Sequence, residues 1–463
     1  MATTEELKKQ LTYEKKSFFE TADDAAREAA LRYAEGYRAF IDYAKTERES
    51  VDYAVKAAER EGYRPYRWGD KLTAGGKYYL NNRGKSLYLF RIGAESPENG
   101  IRIVASHIDS PRLDLKPVPV YEEGGMAFLK THYYGGIRKY QWTAIPLALH
   151  GTVALRGGET VSVRIGEEEN DPVFYINDLL PHLSAEQDQK PLGKAISGEA
   201  LNLLSGSAPA DKGTESEEIK LNLLRLLNER CGIKEEDLIS AELCAVPAFK
   251  ARDVGLDRWL LAAYGHDDHV CAYPSLTALF ESAGEKRTVC CILADKEETG
   301  SNGSTWMQSR ILADLIDEIA AAFSCDANRI RANSECLSAD VAAAYDPNFP
   351  EVFEKRNAAL LSCGVAVCKY TGARGKSGTN DASAEFTAKI RSLLDAHQVN
   401  WQIAELGKVD AGGGGTVAKF ISVHNIDTID VGVPVLSMHA PYEVISKADL
   451  YSAHLAISAF LTD

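Results

Sequence analysis

From about residue 246 to the C-terminus, short apolar runs alternate with amphipathic stretches, and this alternation constrains the fold more than any other feature of the chain. "VCCILAD", "ALLSCGVAVCKYTG", "NWQIAEL" and "TIDVGVPVLS" read as strands. Between them, "GSTWMQSRILADLIDEIAAAF", "DASAEFTAKIRSLLDAHQ" and "GTVAKFISVHN" read as helices. "KADLYSAHLAISAFL" is a closing helix capped by Ser446. The expected fold class is therefore α/β, a central mixed sheet flanked by helices.

The first sixty residues are rich in Ala and Glu and read as helices, with Gly36 the main interruption. "KYYLNNRGKSLYLFRIG" reads as a hairpin around Asn82 and Gly84, and "GIRIVASHIDSP" as a strand ending in a polar cluster. Two prolines in "KPVPVYEEGG" close that pattern. Up to about residue 245 the chain then mixes β-rich pieces with the polar stretch "SGEALNLLSGSAPADKGTESEEIK", read as a long mobile loop, and the helix "EIKLNLLRLLNERCG". The expected organisation is a catalytic domain from 1–117 and 246–463, split by an inserted β-rich domain at 118–245.

With 463 residues the chain has room for two or three domains. Its 67 acidic against 52 basic residues give a formal net charge of -15, which argues against a nucleic-acid or anionic-membrane partner. "MATTEELKKQ" has no apolar signal core, and "WTAIPLALHGTVAL" (142–155) is too short to span a bilayer. None of the nine cysteines forms a CxxC, and several sit in apolar runs, as reduced buried thiols do. The expected setting is cytoplasmic.

In open α/β sheets functional groups collect at the carboxyl ends of strands. His107 and Asp109 follow "IRIVAS", Asp267 and Asp268 sit in "AAYGHDDHV", and Glu297 and Glu298 follow "CCILADK". Asp340 comes in "CLSADVA", and His439 follows "VPVLSM". Taken singly, each has a bland reading: a turn aspartate, a core histidine, a solvated Glu-Glu pair. Together, two His and several carboxylates at successive strand ends suit two divalent cations, each with one His, one private carboxylate and one shared carboxylate. Neighbouring strand residues point to opposite faces, so Glu297 and Glu298 are expected to do different work.

"ASHIDSPRLDLKP", "GHDDHVCAYPSL", "DKEETGS", "SADVAAAYDPN", "GKSGTNDASAEF" and "SMHAPYE" resemble, in this order, the motif blocks of the aspartyl aminopeptidase family of two-zinc metallopeptidases. That resemblance implies a zinc-peptidase catalytic domain interrupted by an inserted dimerisation domain. It also implies His107 and Asp340 as ligands of one metal, Glu298 and His439 of the other, and Asp267 as the bridge between them. Asp109 would orient the imidazole, and Glu297 would be the general base. The metals would be two zinc ions, with cobalt or manganese as alternatives. Substrates would be peptides with a free N-terminus, and dimers would assemble into a tetrahedral dodecamer.

His266 and His269 are read as supporting the site from behind, and Asp268 as fixing the loop. Candidate substrate contacts are Gly413 and Gly414 of "DAGGGGT", Lys376 of "GARGKSG", and His182 of "LLPHLS", which the family places in a neighbouring subunit's site. Where eukaryotic members of the family carry two histidines after the "SAD" aspartate, this chain has Ala343 and Asp346, which weakens the case for a strict acidic preference. Alternative readings are a carboxypeptidase, dipeptidase or deacylase of the same fold, and a non-catalytic metal-binding assembly protein.

Overall fold

The computed structural model describes residues 3–211, 216–282 and 286–463. Nine strands form a mixed sheet in the order Arg64–Pro65, Lys77–Asn82, Ser86–Arg91, Thr288–Ala294, Ile101–His107, Glu335–Ser338, Asp427–Gly432, Val365–Cys368 and Trp401–Ile403. The strands Thr288–Ala294, Ile101–His107, Glu335–Ser338 and Asp427–Gly432 are mutually parallel. Their carboxyl ends therefore lie along one edge, with Ala294 opposite His107 and Ser338 opposite Ala105.

The unbroken apolar run of Thr288–Ala294 follows from its place in the layers. Val289, Cys291 and Leu293 pack with Phe40, Val51, Leu276, Leu394 and Ile457, so helices Asp24–Tyr43, Glu47–Arg60, His266–Glu281, Ala384–Ala396 and Lys447–Thr462 share that face. Cys290, Ile292 and Ala294 pack with Leu315, Ile330 and Ile421 of helices on the other face. A strand covered on both sides has no solvent face to make polar. Truncating a buried residue such as Ile292 to Ala would cost about 2–5 kcal/mol.

Helix Asp24–Tyr43 runs through Gly36 rather than breaking there. A Cβ at Gly36 would come 2.4 Å from the Tyr273 hydroxyl, so the glycine allows close contact with helix His266–Glu281. That contact offsets the roughly 1 kcal/mol a mid-helix glycine costs. Lys77–Asn82 and Ser86–Arg91 form the expected hairpin, with Arg83 and Gly84 at positive φ in its turn.

Seven strands drawn from Arg112 to Pro247 form a second sheet. Ala241–Pro247 pairs with Arg112–Glu123 on one side and Pro146–Ala154 on the other, closing the sheet around Trp142, Leu147, Leu149 and Leu243. Pro117 and Pro119 do not end the strand that contains them. Arg112–Glu123 passes through both, and the register shifts between Leu115 and Val120, where a bulge tolerates the missing N–H groups. The stretch read as a long loop, 197–220, contains strand Leu203–Gly206 and the start of helix Glu218–Cys231; residues 212–215 of it lie outside the described residues.

A third, five-stranded sheet has the order Arg252–Val254, Leu260–Ala263, Glu443–Ser446, Pro434–Leu436, Ala342–Ala343. The run "TIDVGVPVLS", expected as one strand, is divided between Asp427–Gly432 in the first sheet and Pro434–Leu436 in the third. A Cβ at Gly432 would fall 1.6 Å from the Asp340 carbonyl oxygen, so the two backbones touch where the chain changes sheets. Helix Ile311–Phe323 likewise begins later than its apolar spacing suggested. Among the described residues no helix is long and apolar enough to cross a membrane.

Candidate metal centre

Five chain segments converge at the carboxyl edge of the first sheet. His107 ends its strand, and Asp340 follows Glu335–Ser338 by two residues. Asp267 lies just beyond Leu260–Ala263, His439 just beyond Pro434–Leu436, and Glu298 just beyond Thr288–Ala294. Asp267 is the hub. Its Oδ1 lies 3.1 Å from His107 Nε2, and its Oδ2 lies 3.1 Å from His439 Nε2. Asp340 Oδ1 is 3.8 Å from His107 Nε2, and Glu298 Oε1 is 3.4 Å from His439 Nε2.

Both imidazoles are turned by the backbone. His107 Nδ1 donates to the Asp109 carbonyl oxygen at 3.0 Å, and His439 Nδ1 donates to the Gly136 carbonyl oxygen at 2.8 Å. A carbonyl only accepts, so in the neutral rings the proton sits on Nδ1 and the Nε2 lone pairs face the carboxylates. Asp267 Oδ1 and Glu298 Oε1 are then buried acceptors with no donor among the described residues. Such buried acceptors are satisfied by a cation, either a metal ion held between them or a proton on an imidazole Nε2.

The titration behaviour of the metal-free cluster expresses the same demand. Burial pushes the Glu298 carboxyl well up, with Asp267 adding to it, and burial with Asp268 does the same to Asp340. Burial disfavours a charged His439, yet Asp267 and Glu298 beside it push its pKa up to about 10. Ligand atoms of His107, Asp267 and Glu298 lie within 4.8 Å of one another, and so do those of His107, Asp268 and Asp340. These residues fit divalent cations by donor chemistry and by the orphaned oxygens at their centre.

Glu297 and Glu298 are not on the strand. Lys296, at φ 68°, ends the extended run and Glu297–Thr299 forms a 3-10 turn. The adjacent side chains diverge because residues rotate by about 120° in such a turn, rather than by strand alternation. Burial pushes the Glu297 carboxyl up to about 7. Asp109 holds the turn: its Oδ1 accepts from the Glu297 amide at 3.1 Å and its Oδ2 from the Glu298 amide at 3.2 Å. Its Oδ1 also lies 3.5 Å from His107 Nδ1.

His266 and His269 are buried and engaged, His266 with Tyr37 and the Leu261 carbonyl, His269 with Ser50 and the Gly265 carbonyl. Burial lowers their pKa to about 3 and about 4, so both are neutral. Asp268 Oδ2 accepts from the His107 amide at 3.1 Å, while its Oδ1 is buried without a donor among the described residues.

The four candidate substrate contacts are placed less centrally. Lys376 Nζ is 2.9 Å from Asp381 and lies over the Tyr370 ring. The Gly414 amide donates to the Thr371 carbonyl at 2.9 Å, and a Cβ on Gly413 would come 2.3 Å from Ala373 Cα, so the glycines pack on the 371–373 backbone. His182 lies in the 3-10 turn Pro181–Leu183, exposed on the second sheet's side of the chain.

Four contributors escaped the sequence reading. Tyr134 and Gly136 follow from the second sheet, which delivers strand Met126–Tyr134 to the centre. Gly135, at φ 74°, lets that strand turn beside Glu298. The fourth is Glu443, buried four residues after His439. The only signal for it was its place inside "SMHAPYE".

An α/β sheet whose carboxyl edge gathers two carbonyl-oriented imidazoles around a shared carboxylate, with a free glutamate alongside, defines a metal-dependent hydrolase. The profile of the family described as Aminopeptidase I zinc metalloprotease (M18) matches residues 40–461, and the chain belongs to that family of zinc aminopeptidases. The "Probable M18 family aminopeptidase 1" of Clostridium acetobutylicum is 48% identical over 461 residues, covering 98% of this chain and 99% of the relative. Among solved structures, the M18-family aminopeptidase of Thermotoga maritima superposes with a TM-score of 0.93 at 41% identity, over 97% of this chain and 100% of that one. Aminopeptidase I from Clostridium acetobutylicum gives 0.91 at 44%, over 98% and 100%.

Proposed function

We propose that this zinc aminopeptidase releases the N-terminal residue of peptides with two metal ions bridged by Asp267. The observation that carries the reading is the symmetric approach of the two His Nε2 atoms, each 3.1 Å from a different Asp267 oxygen. His107 and Asp340 would hold one ion, His439 and Glu298 the other, with zinc as the ion and cobalt or manganese as substitutes. When bound there, two such ions lower the pKa of a shared water and polarise the scissile carbonyl. Glu297 accepts the proton of the attacking water and passes it to the departing amine. Asp109 keeps Glu297 in place through its backbone amide and faces His107. The substrate's free α-amine would meet a metal ion or the carboxylates around it, which limits cleavage to the first peptide bond.

A strict preference for acidic N-terminal residues is not part of this reading. Ala343 and Asp346 follow Asp340, and the nearby candidate cation Lys376 is paired with Asp381. Peptides with a free N-terminus are the proposed substrates, those with acidic N-terminal residues among them.

The second sheet and its appendages, around 118–245, are proposed to join two copies of the chain. Val173, Leu179, Leu180, Leu183 and Leu192 are each at least half exposed there, an apolar surface that a second copy would cover. His182 lies within that surface, consistent with a role in a partner's site. Assembly of such dimers into a dodecamer, and a cytoplasmic location, complete the proposal; a dodecamer is described for yeast mApe1, 22% identical to this chain.

The test is a panel of aminoacyl chromogenic substrates assayed with zinc, cobalt and manganese. Cleavage is expected only with a free α-amine. Equal cleavage of N-acetylated substrates would overturn the aminopeptidase reading.

A further inference from the structure

The third sheet exists to bring two turns together, and one side chain joins them. Strand Glu443–Ser446 lies between Leu260–Ala263 and Pro434–Leu436 and is antiparallel to both. It therefore begins where its two neighbours end. Leu260–Ala263 leads into the turn that carries Asp267, and Pro434–Leu436 into the turn that carries His439. Glu443, its first residue, pairs with Ala263 and is 1% exposed.

Its carboxylate meets both turns. Glu443 Oε2 accepts from the Asp267 backbone amide at 3.0 Å, and Oε1 accepts from the His439 amide at 2.6 Å. Both positions need holding. His439 sits at φ 65°, a conformation L residues adopt only when their surroundings enforce it, and Asp267 departs from helical geometry at the start of its helix (φ -79°, ψ 105°). With one oxygen on each amide, Glu443 sets the distance between the bridging carboxylate and the second imidazole.

We infer that Glu443 is a positioning residue that fixes Asp267 and His439 at the spacing zinc requires, so that removing its carboxylate weakens metal binding before it affects anything else. The inference rests on the two-metal reading given above. Glu443 itself points its oxygens at backbone amides, both accounted for, and supplies no ligand atom.

Glu443→Gln keeps the shape but replaces one accepting oxygen with an NH2 group that repels the amide it faces. Glu443→Asp keeps the charge but is one methylene shorter, so that it reaches one amide well and the other poorly. Zinc affinity of the metal-free proteins is measured by competition with a fluorescent chelator, alongside thermal melting and steady-state kinetics. The expected result is zinc affinity lowered about 10–100-fold in Glu443→Gln and by less in Glu443→Asp. Melting temperatures of the metal-free forms stay close to the parent, KM is unchanged and turnover is regained in excess zinc. Parent-like zinc affinity in both variants overturns the inference, as does a loss of turnover that excess zinc leaves untouched. If Glu443→Gln does not fold, the affinity of Glu443→Asp decides. A parent protein that takes up a single zinc instead overturns the two-metal reading, a separate outcome visible before any variant is made.

Discussion

The Tyr134 hydroxyl donates to Asp109 Oδ2 at 2.6 Å, joining the second sheet to the residue that holds the Glu297 turn. The phenol ring is fixed between two cations, with the Arg112 guanidinium 4.3 Å and the Lys296 ammonium 4.5 Å from its centroid. Asp109 therefore faces four groups at once: two backbone amides, one imidazole and one phenol. The centre is thus built by all three sheets. Tyr134→Phe removes only the hydroxyl, a donor to a charged acceptor worth about 1.5–3 kcal/mol. Turnover is expected to fall about 10–100-fold with KM little changed. Unaltered kcat in steady-state assays would show that Asp109 is held well enough without the phenol.

Glu297 offers a separate test. Glu297→Gln preserves the backbone bond to Asp109 while removing the proton acceptor. Turnover is expected to drop about 10²–10⁴-fold with zinc content unchanged by elemental analysis. Parental turnover would exclude Glu297 as the base.

Removing metal should lower stability as well as activity. The buried carboxyls of Glu298 and Asp340 are pushed up by burial and by neighbouring carboxylates, a strain that bound cations relieve. With zinc at 100 times its Kd the gain is about 2.7 kcal/mol per site. Differential scanning calorimetry should show a melting temperature that rises with free zinc and collapses in chelator. A melting temperature independent of zinc would contradict the centre as a binding site.

A pH effect is expected away from the metals. His150 on strand Pro146–Ala154 is buried between Glu49 Oε1 at 2.9 Å and Glu167 Oε1 at 3.0 Å, and Lys45 Nζ lies 2.7 Å from Glu167 Oε1. Burial disfavours the imidazolium, but Glu167 and Glu49 raise the pKa above its ordinary 6.5. A raised histidine contributes stability that is complete below 6.5 and lost as pH rises through the folded value. For Glu167 the sign is opposite. Burial is outweighed by His150 and Lys45, its pKa is lowered, and its contribution is lost only as acid protonates it in the folded state. Melting temperature is expected to decline above pH 6.5 in the parent and to be flatter in His150→Gln; parallel curves would remove His150 from the account.

Gly432→Ala tests the crossing between sheets. Its Cβ would overlap the Asp340 carbonyl, forcing apart the segment that carries a ligand. A loss of at least about 1–3 kcal/mol by denaturant unfolding is expected, with weakened zinc binding. Parental stability and affinity would mean that the crossing can relax.

Much of the fold was legible because it follows from local pattern. The apolar run "VCCIL" reports a strand covered on both faces, and each of the five residues proposed as ligands ends a strand or stands shortly after one. What escaped depends on contacts between distant segments. Nothing local tells that Gly432 divides one apolar run between two sheets, or that Pro117 and Pro119 sit at a bulge rather than at a strand end. The divergence of Glu297 and Glu298 was foreseeable, but its cause, a 3-10 turn set off by a left-handed Lys296, was not. Tyr134 reaches Asp109 from 25 positions away and Glu443 reaches Asp267 from 176, separations at which sequence spacing carries no signal.

The order of the converging segments has a consequence for synthesis. His107 is made early relative to His439, and the strands before Glu298 and Asp340 are made between them. Until His439 clears the ribosome, Glu298 lacks the imidazole it faces and the crossing at Gly432 has only just been laid down. A centre so distributed stays incomplete on every nascent copy that has not yet reached His439.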